Sequence, residues 1–380
     1  MKRLLVTTLL LATSICLRAQ VVDATVCDIL KNPVSFNGKI VRIKGTAVAG
    51  FDQFAIQGKG CGQRVNAIWL SYPEGTKGKA GPAAVLNLQP AKNFGVDVAN
   101  VDRAAVTLDK SKDFKQFDSL LSAQYKSGGM CLGCEKNIVN ATMVGRLDGV
   151  ADASLKRDSA RRFIGFGGFG NLNAYSARLV LQSVSEVSAQ EIDYSKAAQA
   201  AKGEQQADYI SGDPLAGAHK LAGAFGAGNS FGEQIEHAAN AFGKQGDDNG
   251  VEVGFGPANE ASAKTEGKGS ASSPDGVLFN CTFNMDRLKG DALGRAMVNV
   301  GAHIADLRSP PSGLENAGIY ELEYRGWTTT ALMAIASSQK TVTLPGGVLL
   351  WNAAWPMVDR DSQLNAAITS FLADEELLVR

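Results

Sequence analysis

The chain has 380 residues, with 38 Lys plus Arg against 38 Asp plus Glu and 45% hydrophobic content. Balanced charge offers no bulk attraction to nucleic acid or to an anionic membrane surface. The length and apolar content suffice for two domains with separate cores.

Lys2 and Arg3 open the chain, Leu4 to Leu17 is apolar apart from small polar residues, and Ala19-Gln20 precedes a polar sequence. A charged start, a short apolar middle and a small residue near the end predict a secretory signal over 1–20, removed on export. The apolar run is shorter than the roughly 20 residues a bilayer span takes. Ile15, in front of Cys16, is too bulky for a lipoprotein site. The expected location is periplasmic or extracellular, with no stable membrane insertion after cleavage.

Export leaves Cys27, Cys61, Cys131, Cys134 and Cys281. Outside the cytoplasm, disulfides are the default for paired cysteines. The first four permit three pairings, of which Cys27 with Cys61 and Cys131 with Cys134 are favoured, and Cys281 is left over. A redox Cys-x-x-Cys stands at the start of a helix, whereas Gly128-Gly129 precedes Cys131 and a strand follows Cys134. Zinc needs further ligands, and no histidine occurs before His219. No metal or cofactor is expected.

The elements of residues 21–190 follow from periodicity. Asp23 to Leu30 reads as a short helix stopped by Asn32-Pro33. Ile40 to Val48 alternates as a strand, followed by strands over Phe54 to Gln57 and Val65 to Tyr72. Asp109 to Tyr125 carries Phe114, Phe117, Leu121 and Tyr125 on one helical face. Asn137 to Asp148 and Ala177 to Val187 alternate again. Three strands, a helix and two strands are the element order of an OB-fold, a five-stranded Greek-key barrel. The stretch Asn32-Pro33 through Asn37-Gly38-Lys39-Ile40 to Gly45, with Cys61-Gly62 before Ile68-Trp69-Leu70, resembles the OB-like domains of exported bacterial proteins. Pro73 to Leu108 is a longer insertion than such a barrel requires.

The resemblance implies ligand contacts on the second and third strands and on the loops after strands one and four. Those loops are Ala49 to Gln53 and Gly149 to Tyr175. Trp69 and Tyr72, with Arg161, Arg162, Phe163, Phe166 and Phe169, are the ligand-binding candidates. Basic residues among aromatics suit stacking plus phosphate contact, while the plainer reading has these phenylalanines cover the barrel end. Gly165, Gly167 and Gly170 match G-x-G-x-x-G, but a strand and not a helix follows, so the dinucleotide fingerprint fails.

Residues 191–274 are rich in Gly and Ala and poor in large apolar side chains, which predicts a flexible linker. A helix around Phe231 to Phe242 is compatible with its apolar spacing. In 275–380 an internal repeat emerges: Ala296-Met297-Val298-Asn299-Val300-Gly301-Ala302 matches Val348-Leu349-Leu350-Trp351-Asn352-Ala353-Ala354. Gly326-Trp327-Thr328 opens a unit, and Ala331 and Ala367 recur 36 positions apart, against an ankyrin period of about 33. This segment resembles ankyrin repeats, without the Pro and His of their signature. The resemblance implies α-helical repeats, a turn after Ala302 with His303 exposed, and a concave surface for a protein partner. Tyr320, Tyr324, Trp327 and Trp355 are the partner-binding candidates.

The expected molecule is multidomain: an OB-like β-barrel over 21–190, a linker over 191–274 and an ankyrin-like domain over 275–380. Its expected role is that of an exported, non-enzymatic binding or adaptor protein with a protein partner and no catalytic residues. The alternatives are a barrel that binds an oligosaccharide, nucleotide or single-stranded nucleic acid, and an envelope enzyme with a carboxylate site. Export and neutrality weigh against nucleic acid.

Overall fold

A computed structural model describes residues 21–58, 60–61, 65–90, 105–123, 136–153, 156–157, 159, 163–165, 168–192, 214–224, 230–243, 249–255, 277–288 and 291–310, with 322, 325–326, 329–330, 341–343 and 349–351. In chain order the first elements are β1 (Val22–Asp23), α1 (Val26–Lys31), β2 (Ile40–Ala49), β3 (Phe54–Gln57), β4 (Ala67–Ser71) and β5 (Ala84–Pro90). Next come α2 (Lys112–Ser122), β6 (Asn137–Gly149), β7 (Lys156–Arg157), β8 (Phe163–Gly165) and β9 (Ala177–Glu191). The rest is α3 (Ala216–Ala224), α4 (Ser230–Asn240), β10 (Val251–Phe255), β11 (Val277–Phe283), α5 (Asp291–Arg308), β12 (Thr341–Thr343) and β13 (Leu349–Trp351).

Thr25 starts α1 with a capping box: the Asp28 N–H donates to Thr25 Oγ1 at 3.1 Å and the Thr25 N–H to Asp28 Oδ2 at 3.2 Å. A Cys27–Cys61 disulfide clips this helix to the loop between β3 and β4, as the compartment argument favoured. The strands β2, β3, β4, β9 and β6 form a ring that closes where β6 returns to β2. Only the β4–β9 pair within it is parallel. Closure leaves the ring without an open edge. A small five-stranded barrel with α2 between its third and fourth strands is compatible with an OB-like fold. Ile43, Phe54, Ile56, Ile68, Trp69, Met143 and Leu179 fill its interior, and Phe114, Phe117 and Leu121 of α2 join that core.

A second layer packs beside the barrel. β10, β11 and β5 make a three-stranded sheet, with β11 parallel to β10 and antiparallel to β5. Val277, Phe279, Cys281 and Phe283 alternate along β11 into a core shared with Ile235 and Ala238 of α4 and Val298 and Ile304 of α5. Phe51 and Leu172 of the barrel loops belong to the same core.

The described residues show neither the linker over 191–274 nor the repeats over 275–380. Within 191–274, residues 216–224, 230–240 and 251–255 form α3, α4 and β10, and Leu215, Ala218, Ile235 and Ala239 are buried. The boundary at 275 falls between two paired strands, β10 and β11, and β11 pairs with β5 inside the first expected domain. Nor do the described residues follow the ankyrin register. Ala296 to Ala302 lies inside the continuous helix α5, and Leu349–Trp351 is a strand paired with β12.

Gly301 has a packing reason in place of the expected turn. An ideal Cβ there would stand 2.1 Å from the Ala238 carbonyl oxygen of α4, so only glycine lets the two helices approach this closely. Gly301→Ala would ordinarily favour a helix. Here it is expected to cost about 1–3 kcal/mol as the helices are forced apart, read as a lower urea midpoint; an unchanged or higher midpoint would contradict the packing account.

Candidate functional site

The described parts of the loops after β2 and before β9 are largely buried. Phe51, Asp52 and Gln53, in the loop after β2, are all buried. The loop before β9 is pinned from both sides. Gly170 has a positive φ of 68° and lies against the Trp69 indole, where a Cβ would come within 2.4 Å. Leu172 and Asn173 follow with φ of 52° and 51°, a conformation that costs each non-glycine residue about 1–3 kcal/mol. Compensation comes from the second layer. Asn171 Oδ1 accepts from the Leu86 N–H at 2.8 Å, and Asn173 Oδ1 accepts from the Leu88 N–H at 2.9 Å. The two asparagine amides satisfy donors along the edge of β5, while Leu172 is buried in the second core.

Arg287, in the turn after β11, reaches back into the barrel. Its Nη1 donates to the Gly50 carbonyl at 2.9 Å and to the Gly81 carbonyl. Its Nη2 donates to the Ala49 carbonyl at 3.0 Å and more distantly to that of Leu121. Nearby, buried Asp118 of α2 accepts from Tyr72 OH at 2.7 Å and from the Lys79 and Ala80 N–H groups at 2.8 Å each. Burial, and then the Asp118 charge, push the Tyr72 phenol well above its ordinary pKa. It stays a neutral donor.

A second polar cluster lies along α5. Arg295, Asn299 and His303 recur every four residues, one helical face, with Asp306 a further turn on, and all four are buried. Arg325 and Gly326 lie against this face: a Cβ on Gly326 would fall 2.2 Å from His303 Nε2, and Arg325 Nη2 donates to Asp306 Oδ1 at 3.1 Å. Gln234 of α4 donates to Thr329 Oγ1 at 2.7 Å. Burial pushes the His303 pKa down to about 4, so the ring is neutral near pH 7. The expectation of an exposed His303 is thereby corrected. Burial also pushes the Cys281 thiol up, with Arg308 opposing weakly, so it is no ready nucleophile.

The residues singled out from sequence are distributed unevenly. Trp69 and Tyr72 are buried in the barrel and offer no ring to a ligand: Trp69 packs on Tyr175 and Tyr72 on Phe54 and Phe114. Phe169 is buried beneath Arg178, whose guanidinium lies 4.6 Å from the ring centroid. That Arg178 and buried Arg146 both bind Asp148, each at 2.7 Å, so phenylalanine and arginine cover the barrel end together. Phe163 belongs to β8. Arg161, Arg162, Phe166, Tyr320, Tyr324, Trp327, Trp355, Cys131 and Cys134 lie outside the described residues. No local pattern marks Arg287 or Asn171, whereas the four-residue spacing of Arg295, Asn299 and His303 is a visible helical signal.

Among the described residues, no three His, Cys, Asp or Glu side chains gather as a metal site. No described helix is long and apolar enough to cross a membrane. The ring of strands and the layer beside it define a small β-barrel protein. In comparisons with known proteins, no family model, curated protein or solved structure matches the chain.

Arg287→Met would take the guanidinium donors from the Ala49, Gly50 and Gly81 carbonyls, of which Gly50 keeps the Ala83 N–H. A loss on the order of 3–5 kcal/mol is expected in chemical unfolding; a loss within ordinary surface effects would show that the rim is held otherwise.

His303 sets a pH dependence. Its folded pKa of about 4 lies below the ordinary value near 6.5. Its contribution is therefore fully present above pH 6.5 and is lost progressively as the pH falls towards 4. The total is about 3 kcal/mol. Urea midpoints measured from pH 7 to 5 should fall, and His303→Gln should flatten that fall.

Proposed function

We propose that this chain is an exported binding protein without catalysis of its own, in which the barrel serves as scaffold and the C-terminal region recognises a protein partner. The observation that carries this reading is the burial of 51–53 and of Leu172, with Phe51 and Leu172 in the core of the second layer. An oligosaccharide or nucleotide would need those loops. The neutral, buried His303 and the buried Cys281 thiol are withheld from solvent, which disfavours an enzyme built on either. The Cys27–Cys61 bridge suits an oxidising compartment, in agreement with a signal over 1–20. Tyr320, Tyr324, Trp327 and Trp355 remain the proposed contact residues, because aromatic side chains are common interface anchors.

The test uses the full mature chain, because a cut at 275 would part β10 from β11. Immobilised protein is exposed to an envelope extract as wild type, as Trp327→Ala with Trp355→Ala, and as Arg161→Ala with Arg162→Ala. The expected result is a specific protein retained by the wild type and the arginine variant but lost from the tryptophan variant. Retention of glycans or nucleotides that depends on the arginines would move the function to the barrel and refute the proposal.

A further inference from the structure

β10 is the outer strand of the three-stranded sheet: β11 covers one side, and among the described residues nothing pairs with the other. The direction of its free groups can be worked out. The Phe279 N–H of β11 donates to the Gly250 carbonyl at 2.8 Å. Amide directions alternate along a strand, so Glu252 and Gly254 turn their backbone groups to β11. Val251, Val253 and Phe255 turn theirs to the open side. The Val251 N–H is taken by Asn249 Oδ1 at 3.2 Å. The Val251 carbonyl and the N–H and C=O groups of Val253 and Phe255 remain directed outward. Side chains of the same three residues lie on the helix-covered face: Val251 and Val253 pack on the second core. The Phe255 ring lies 6.2 Å from that of Phe283, yet Phe255 is 57% exposed. An apolar edge of this kind is a template for another strand.

We propose that β10 pairs antiparallel with β10 of a second copy of this chain, about a two-fold axis at Val253. The strand is self-complementary in that register and in few others. Each Val253 meets its counterpart and exchanges both hydrogen bonds with it. Each Phe255 N–H donates to the second copy's Val251 carbonyl, the outward acceptor there, and the Val251 N–H keeps its Asn249 partner. Val251 then faces Phe255, a favourable β-branched and aromatic pair, and the exposed ring is covered. Glu252 faces Gly254, so no like charge stands opposite it. An axis at Glu252 would set the two Glu252 side chains opposite each other, a like-charge pair. One at Gly254 would leave Val251 without a counterpart within the strand, and one between two residues would aim inward-turned amides at the second copy. The chain has no net charge to drive the copies apart. A five-residue ladder covers little area beside the roughly 1,200–2,000 Å² of a stable interface. The dimer is therefore a weak one, in concentration-dependent exchange with monomer.

Sedimentation velocity of the full mature chain over rising concentration tests this. Wild type is expected to pass from monomer to dimer in the micromolar range. Val253→Pro removes a donor that faces outward, a position where an edge strand tolerates proline. Phe255→Lys places charge at an already exposed site, so its fold is kept even if the proline variant fails to fold. Each is expected to raise the half-dimer concentration by roughly tenfold or more, which corresponds to a loss of one hydrogen-bonded or apolar contact. Val34→Lys, at a 50% exposed residue on the barrel, should leave the equilibrium unchanged. A wild type that is monomeric throughout overturns the proposal and leaves the edge to an extended segment of another protein. So does an unaltered dimer in both edge variants.

Discussion

A guanidinium carries donors in a rigid planar fork, and at Arg287 that fork meets carbonyls from distant parts of the barrel. Ala49 and Gly50 end the first barrel strand, and Gly81 lies in the approach to β5. Strand ends leave acceptors that must find donors or water. Here a residue more than 200 positions later supplies them, and it does so from inside the second layer. The ring of strands is closed in hydrogen bonding, but its rim is completed only when β11 and its following turn are in place.

Several local costs make sense in that light. The positive φ angles at Leu172 and Asn173 would be unfavourable in a free loop. They persist because Leu172 fills the second core and the flanking asparagines satisfy β5. β5 itself comes from the long insertion between the third barrel strand and α2, so the insertion joins barrel to layer. The helices over that sheet approach closely through Gly301. Their buried polar face at Asn299, His303 and Asp306 is met by Arg325 and Gly326. Burying such groups is tolerable only when they are neutral or paired: His303 is held neutral and Asp306 is met by Arg325.

At the barrel end, Phe51, Asp52 and Gln53 are buried, and Arg287, Asn171 and Asn173 hold the surrounding backbone. Among the described residues β10 is the outer strand of the second sheet, with Phe255 exposed at its end.

The barrel was legible in the sequence because β2, β6 and β9 carry stretches of two-residue alternation, β3 and β4 are short apolar runs, and α2 has its own apolar stripe. Short-range periodicity records which face of an element is buried. Compartment made disulfides the default and left three pairings among the first four cysteines, of which the favoured Cys27–Cys61 is the one formed. Periodicity does not record what covers a face. Ala84, Leu86 and Leu88 enter the second core and Val85 the barrel core, but the partner strand β11 lies almost 200 residues away, and no local pattern names it. Gly301-Ala302 suggested a turn because glycine is common to turns and to close helix crossings, and only the Ala238 carbonyl distinguishes them. Trp69 and Tyr72 suggested a ligand surface for a similar reason: an aromatic residue on a strand suits either side of the sheet. The sequence by itself determined the barrel elements. Tertiary structure decided the Cys27–Cys61 pairing and the burial of the 51–53 loop and Leu172, because both depend on contacts between residues far apart in the chain.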